Sequence, residues 1–173
     1  MRIFKAMFLL VVLLAVSVGA VSQTRRFTTD NIDYVLEFPS EAWQVVSRLD
    51  VHDHREFING DDPTNGWLHV RKIFVDQPTS TTELFTHQER WELQRLRGYV
   101  VCSECEGVKF EGRLSGAVFA YEYVAAGRAM YGRIYYLQVD SRTFYSLRFT
   151  AARDKLQAVR DHMHLIAQSF RLK

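Results

Sequence analysis

The chain has 173 residues with a formal net charge of +2, and 47% of the residues are hydrophobic. Its 22 basic and 20 acidic side chains are interspersed along the sequence rather than gathered into blocks. A surface that follows phosphate groups needs an excess of basic residues on one face. Nucleic acids and anionic membrane surfaces are therefore disfavoured as partners.

The N-terminal segment has the layout of a secretory signal peptide. Arg2 and Lys5 precede an apolar run at 6–18, which is too short to span a bilayer. We expect residues 1–22 to be a signal peptide and residues 23–173 to form one exported domain, periplasmic or extracellular. Removal of the signal takes away two of the basic side chains and leaves as many bases as acids. No stable membrane insertion is expected after that removal.

The sequence contains 2 cysteines, Cys102 and Cys105, in a C-x-x-C arrangement. An exported protein meets an oxidising compartment, which favours a local disulfide between them. Glu104 and Glu106 lie beside them and would raise a thiol pKa, which disfavours a redox site. Free thiols, or half of a zinc site that needs a second pair of ligands, are the alternatives.

The first half of the expected mature chain has the pattern of strands separated by turns. Dense β-branched and aromatic character predicts strands at 32–38, 43–49 and 55–58. Residues 59–66 consist almost entirely of turn-forming types, and 67–75 returns to strand character. The last two of these strands are expected to form a hairpin with a long loop.

The hydrophobic period then changes to that of a helix. Ser80 and Glu83 have the spacing of a capping box, in which a hydroxyl and a carboxylate satisfy free backbone amides at the start of a helix. The pattern predicts a helix over about 80–97. Trp91 is expected on its apolar face, whereas Leu93 falls off that face.

The second half returns to strands. Short strands are predicted at 99–101 and 108–110, followed by long ones at 114–124, 130–139 and 144–150. The three long strands are consecutive and are joined by turns. They are therefore expected to form an antiparallel meander.

A helix at 153–170 is expected to close the chain, because apolar residues recur there at spacings of three and four. The strands come in runs instead of alternating with helices, which disfavours a parallel doubly wound fold. The prediction is an α+β fold with a central antiparallel sheet sandwiched by helices. The apolar stripe of the last helix consists of Leu156, Val159, Met163, Ile166 and Phe170.

Several local patterns, taken in order, resemble the PsbP-like superfamily. They are F-P-S-E-A-W at 38–43, F-A-Y-E-Y at 119–123 after Gly116, F-Y-S-L at 144–147 and I-A-Q-S-F at 166–170. The resemblance spans nearly the whole expected mature chain. It implies an α/β/α sandwich around an antiparallel sheet. It also implies an accessory or partner-binding role, which is an inference by analogy of fold.

Two histidines are candidate metal ligands. His52 and His54 are separated by one residue, so on a strand both imidazoles would point to the same side. The alternative is an exposed polar edge or loop.

Tyrosines are unusually dense in the two long strands. Tyr121 and Tyr123 share one face of the first strand, and Tyr131, Arg133 and Tyr135 share one face of the second. Tyrosine is common at interfaces. These five residues therefore predict a ligand site or a partner-docking patch, and ordinary cross-strand packing is the alternative.

No hydrolase, metalloprotease, Walker or dinucleotide motif is present in the sequence. The function predicted is that of a non-enzymatic exported accessory protein, without a cofactor, that docks to an unknown protein partner in the cell envelope. The alternative is a small-ligand or metal-binding module that uses the tyrosine-rich sheet face or His52 and His54. An enzyme is the third hypothesis, which a pocket with two converging ionisable side chains would favour.

Overall fold

An antiparallel sheet of eight strands forms the centre of the protein. The computed structural model describes residues 24–46, 55–102 and 107–173, so the predicted signal peptide lies outside the described residues. The strands are β1 (Arg25–Phe27), β2 (Tyr34–Phe38), β3 (Trp43–Val46), β4 (Arg55–Asn59), β5 (Trp67–Phe74), β6 (Val100–Val101), β7 (Val108–Glu111), β8 (Ser115–Ala125), β9 (Arg128–Gln138), β10 (Thr143–Ala152) and β11 (Arg171–Leu172), and the helices are α1 (Thr81–Trp91) and α2 (Leu156–Ser169).

The strand order in the large sheet is β3-β4-β5-β10-β9-β8-β6, with β7 also paired to β8. The predicted meander is confirmed, because β8, β9 and β10 pair as antiparallel neighbours along their length. The β8–β9 turn places Ala126 and Gly127 at positive φ, 49° and 76°. Two successive left-handed residues are the geometry of the two-residue turns that match strand twist.

Helix α2 and a small three-stranded sheet cover one face of the large sheet. In the small sheet β2 lies between β1 and β11. The stripe predicted for the last helix is confirmed, since Val159, Met163, Ile166 and Phe170 are at most 1% exposed. We call this side of the large sheet the α2 face.

The opposite side, the α1 face, is covered by α1 and the chain that follows it. Phe85 of α1 stacks on Phe119 of β8, with ring centroids 3.9 Å apart. Phe85, Phe119 and Tyr136 belong to a core cluster separate from the one beneath α2. The sheet therefore carries a packed layer on each face, and the predicted α+β sandwich is confirmed.

The first helix is shorter than the sequence pattern predicted. The capping box is present, with the Ser80 amide donating to Glu83 Oε2 at 2.8 Å and the Glu83 amide donating to Ser80 Oγ at 3.2 Å. The helix ends at Trp91, however, and a single 3₁₀ turn follows at 93–95. This break turns Leu93 into the core at 0% exposure, whereas Trp91 is 55% exposed. The predicted roles of these two residues were therefore reversed.

The described strand β3 ends at Val46, and residues 47–54 lie outside the described residues.

Aromatic packing connects the end of β2 to the start of β3. Phe38 and Trp43 stack with centroids 5.8 Å apart, and both are 1% exposed. The two rings bury each other directly. Within the described ranges, neither helix has the length and apolar character needed to cross a bilayer.

Candidate functional site

The structure divides the five residues of the predicted tyrosine-rich patch between the two faces of the sheet. Tyr121 pairs in register with Gly132, and Glu122 pairs with Tyr131. Directly opposed residues of an antiparallel pair point to the same face. Tyr121, like Tyr123 two residues later, therefore lies on the α1 face, and Tyr131 lies on the α2 face.

Arg133 and Tyr135 follow Tyr131 at alternate positions of β9, so they also lie on the α2 face. Tyr131 is 6% exposed, and Tyr135 is fully buried. Arg133 is half-buried and is the most exposed of the three. One continuous patch made of all five residues is thus excluded by the register of β8 and β9.

On the α1 face, Arg148 of β10 has a hydrogen-bond acceptor and a carboxylate as partners within the protein. Its Nε donates to the Tyr121 hydroxyl at 2.8 Å, and its Nη1 lies 3.6 Å from Glu92 Oε2. Glu92 also pairs with Arg71 at 3.5 Å. The Arg148 guanidinium lies 5.8 Å from the centroid of the Tyr121 ring. This network compensates the arginine within the protein.

Burial determines the proton affinity of the tyrosine in this network. Tyr121 is fully buried, and burial raises its pKa to about 12 even though the Arg148 guanidinium opposes that rise. Gly132 makes room for the ring, since a Cβ atom at that position would lie 2.2 Å from Tyr121 Cζ. The tyrosine is a neutral structural group at physiological pH.

On the α2 face, Arg133 of β9 lacks such a set of partners. Its neighbours in register are Ala120 and Phe149, neither of which carries a polar side chain. Its guanidinium lies 5.7 Å from the centroid of the Tyr135 ring. Its Nε is buried and has no hydrogen-bond partner among the described residues. No described carboxylate forms an ion pair with it, and burying a cation in this way is unfavourable.

Arg133 lies in a groove between β9 and α2, with a volume of about 550 Å³. The imidazole of His164 packs on the floor of aromatic rings, 5.8 Å from Phe110 and 6.4 Å from Tyr135 between centroids. Leu165 is 49% exposed at the wall. We call this site the α2 groove, and its lining residues are Arg133, Arg160, Asp161, His164 and Leu165.

The charges around the α2 groove are predominantly positive. Arg133 and Arg160 face a single lining carboxylate, that of Asp161 on exposed helix surface. Glu122, the next acid along β8, is already bound by Arg153. A guanidinium stays protonated at any physiological pH and presents a planar set of donors. The groove can therefore bind and orient an anion.

A second pocket, which the sequence analysis missed, lies where the small sheet meets the large one. Its volume is about 350 Å³. The Asp33 carboxylate accepts hydrogen bonds from Lys72 on one oxygen and from the Tyr145 hydroxyl on the other. Burial raises the pKa of Asp33, but the bonds from Lys72 and Tyr145 outweigh burial and hold it below its usual value. These contacts join the residue before β2 to β5 and β10, which is a structural role.

The remaining predicted site residues fall partly outside the described chain. His52 and His54 lie outside the described residues, so the metal site stays a prediction. Cys102 is half-buried, and its backbone amide donates to the carbonyl of Ala120 at 2.9 Å. Cys105 lies outside the described residues, and the disulfide stays a prediction. Among the residues that are described, no three His, Cys, Asp or Glu side chains come together as metal ligands.

No protein-family model matches the sequence, and no curated protein is similar to it at a significant level. Solved structures do match. LpqN of Mycobacterium tuberculosis, described as involved in cell envelope biogenesis, is 13% identical and superposes with a TM-score of 0.57, covering 87% of this chain and 91% of LpqN.

Two further structures extend the comparison. The Saccharomyces cerevisiae Ran-binding protein Mog1p is 10% identical, with a TM-score of 0.59 over 87% of this chain and 96% of that one. Cyanobacterial PsbP (CyanoP) from Synechocystis is 12% identical, with a TM-score of 0.50 over 92% and 98% of the two chains. At such identities the likeness concerns the fold. The resemblance to the PsbP-like superfamily is confirmed in that sense: this chain has the fold shared by PsbP, Mog1p and LpqN.

Proposed function

We propose that this chain is an exported, non-enzymatic binding protein that docks to a protein partner in the cell envelope through the α2 groove. The observation that carries the proposal is Arg133, a half-buried cation without a compensating group among the described residues. Arginine is enriched at protein interfaces and among the residues that dominate binding energy. A partner that compensates Arg133 would gain affinity at a site that is already formed.

The chemistry of the groove favours binding over catalysis. Neither Arg133 nor Arg160 can exchange a proton near neutral pH. The lining groups that can, Asp161 and His164, are exposed to solvent on α2. The second pocket does bring two ionisable side chains together, Asp33 and Lys72. Both Asp33 oxygens are already occupied by donors of the protein, however, and Lys72 neutralises the carboxylate.

The comparisons add support by analogy. Mog1p is described as a Ran-binding protein, and LpqN as involved in envelope biogenesis. The same fold thus occurs in a protein-binding role and in an envelope context, although a fold alone carries no function. The signal-like pattern at 1–22 supports export.

A small-ligand module is the second candidate. The groove volume of about 550 Å³ lies within the range of small-molecule sites. Native mass spectrometry of the chain isolated gently after export by its own host distinguishes the two. A defined extra mass that is lost on denaturation supports a small ligand, and an intact complex with an envelope protein supports docking.

The docking proposal is tested by photocrosslinking in intact host cells. A photoreactive residue is placed at Leu165 in the full chain, and a control carries it at Thr86, which is exposed on α1 at the other side of the sheet. We expect an adduct with one envelope protein, identified by mass spectrometry, from position 165 and not from position 86. The absence of an adduct at 165, or equal adducts at both positions, would overturn the proposal.

A further inference from the structure

We infer that the α2 groove anchors a carboxylate from an acidic segment of the partner protein, with an apolar residue beside the acid. This inference rests on the proposed function and names the chemistry of the docking segment. It follows from three properties of the groove: an uncompensated guanidinium, a surplus of positive charge and an exposed apolar wall.

The first property concerns the geometry of Arg133. A guanidinium presents a planar fork of donors that matches the two oxygens of a carboxylate. In the described protein this fork meets the face of the Tyr135 ring and no anion, and its Nε stays without a hydrogen bond. A carboxylate that enters the groove would meet the outer end of this guanidinium, beyond the buried Nε, and would place a negative charge beside the cation.

The second property is the sign of the surrounding charge. Arg160 of α2 lines the same groove and is a second permanent cation beside Arg133. The negative groups nearby are Asp161, which is exposed on the same helix, and Glu122, which Arg153 already binds. A cationic segment would therefore be repelled, and an acidic one attracted.

The third property separates a peptide from a phosphate. Phosphate sites are commonly built from backbone amides at helix N-termini or in nests. Strand β9 is paired on both sides, so its amides are used within the sheet, and the groove meets α2 at 160–165 rather than at its start. Leu165 instead offers apolar surface, 49% exposed, next to the cations. That combination suits an acidic side chain followed by an apolar one.

The opposite face of the sheet shows that an open arginine is not a general feature of this fold. Arg148 has a similar ring contact, yet Tyr121 and Glu92 satisfy it. An arginine without an ion pair is therefore a property of the α2 groove and not of both faces of the sheet.

The test is a titration of the chain isolated after export and labelled with ¹⁵N, in which the Nε–H signal of Arg133 is followed by NMR. The probes are acetyl-Glu-Leu-amide, the isosteric acetyl-Gln-Leu-amide and inorganic phosphate. We expect the acidic dipeptide to shift the Arg133 signal in a saturable way and the Gln dipeptide to bind at least about tenfold more weakly. The Arg148 signal should stay in place.

Two variants complete the experiment. Arg133→Met should abolish saturable binding of the acidic dipeptide, and Arg133→Lys, which keeps the charge but loses the fork, should weaken it. Equal binding of both dipeptides would overturn the inference, as would a response to phosphate alone. If crosslinking at Leu165 continues undiminished in Arg133→Met, docking stands and the carboxylate anchor fails. If the dipeptide binds but no crosslink forms, the site stands and the proposed function fails.

Discussion

Arg133 and Arg148 lie one register position apart on neighbouring strands, and they point to opposite faces of one sheet. Each guanidinium lies beside a tyrosine ring, at 5.7 Å from Tyr135 and 5.8 Å from Tyr121. Arg148 finds a hydroxyl and a carboxylate within the protein, whereas Arg133 has neither among the described residues. Burial is therefore a poor guide to the role of a cation, and the list of its partners is a better one.

The energetic meaning of this difference follows from the cost of desolvating charge. A half-buried cation loses part of its hydration, and a partner within the fold offsets that loss. Arg148 recovers it on folding. Arg133 has only its residual hydration and the Tyr135 ring among the described residues, so a bound anion would add stabilisation that folding does not supply. The first arginine is expected to contribute to stability, and the second to binding.

The largest effect is expected from removing the space that the Tyr121 ring occupies. Gly132→Ala places a methyl group 2.2 Å from Tyr121 Cζ, which forces the ring and its bond to Arg148 to move. We expect a loss of about 3 kcal/mol in the free energy of unfolding, measured by urea denaturation. In a Tyr121→Ala background the same substitution should cost much less, and an unchanged cost there would show that the ring is not the cause.

The next effect is a loss of stability in alkaline solution. The folded pKa of Tyr121, about 12, lies above the ordinary value of 10.0 because the neutral form is favoured by burial. Stability from this group is complete below pH 10 and is lost as pH rises toward 12, by up to about 2.7 kcal/mol for two pKa units. Tyr121→Phe should reduce this decline in the free energy of unfolding. The rest comes from Tyr123 and Tyr136, whose pKa values burial also raises. An unaltered slope would contradict the assignment.

Loss of Arg148 should cost less. Arg148→Met leaves the Tyr121 hydroxyl without its donor and Glu92 with Arg71 alone. The side chains of Arg148 and Glu92 are 24% and 45% exposed. Solvent therefore makes the loss of stability smaller than it would be on breaking a fully buried ion pair. We expect the free energy of unfolding to fall by about 1–2 kcal/mol, measured by thermal or urea denaturation. Arg148→Lys should recover part of that loss. An Arg148→Met protein as stable as the native chain would show that Arg148 does not stabilise the fold.

The smallest effect on stability is expected at Arg133. Arg133→Met removes a cation that has no ion pair among the described residues and puts an unbranched apolar side chain in its place. The free energy of unfolding should change by less than about 0.5 kcal/mol or rise slightly. A loss of more than about 1 kcal/mol would mean that Arg133 stabilises the fold, and the α2 groove would lose its main argument.

The sequence predicted the elements that have a long and regular pattern. The meander and the last helix extend over ten or more residues each, so their periods of two and of 3.6 were readable. Strands β1 and β11 have 3 and 2 residues, which is too short for any period to appear. The predicted end of α1 was wrong because the helix breaks after Trp91, and this break brings Leu93 into the core. Helical periodicity does not show where such a break occurs.

The site was predictable only in part. Arg133 was one of the five residues of the predicted patch, and it does line a groove. The grouping of tyrosines was wrong because it depended on the register of β8 against β9, which sets Tyr121 opposite Gly132. Register is fixed by turn geometry and by the buried face together, and one sequence does not state it. The contribution of Arg160 and His164 on α2 depends on how the helix docks, which periodicity does not specify.

The most direct test of the central claim combines function with stability in one variant. Crosslinking from Leu165 in intact host cells is compared between the native chain and Arg133→Met, with the thermal stability of both chains measured alongside. The account predicts at least a tenfold lower yield of the envelope-protein adduct in Arg133→Met, at unchanged stability. An equal yield in the two chains would show that the partner does not bind through Arg133 and would contradict the account.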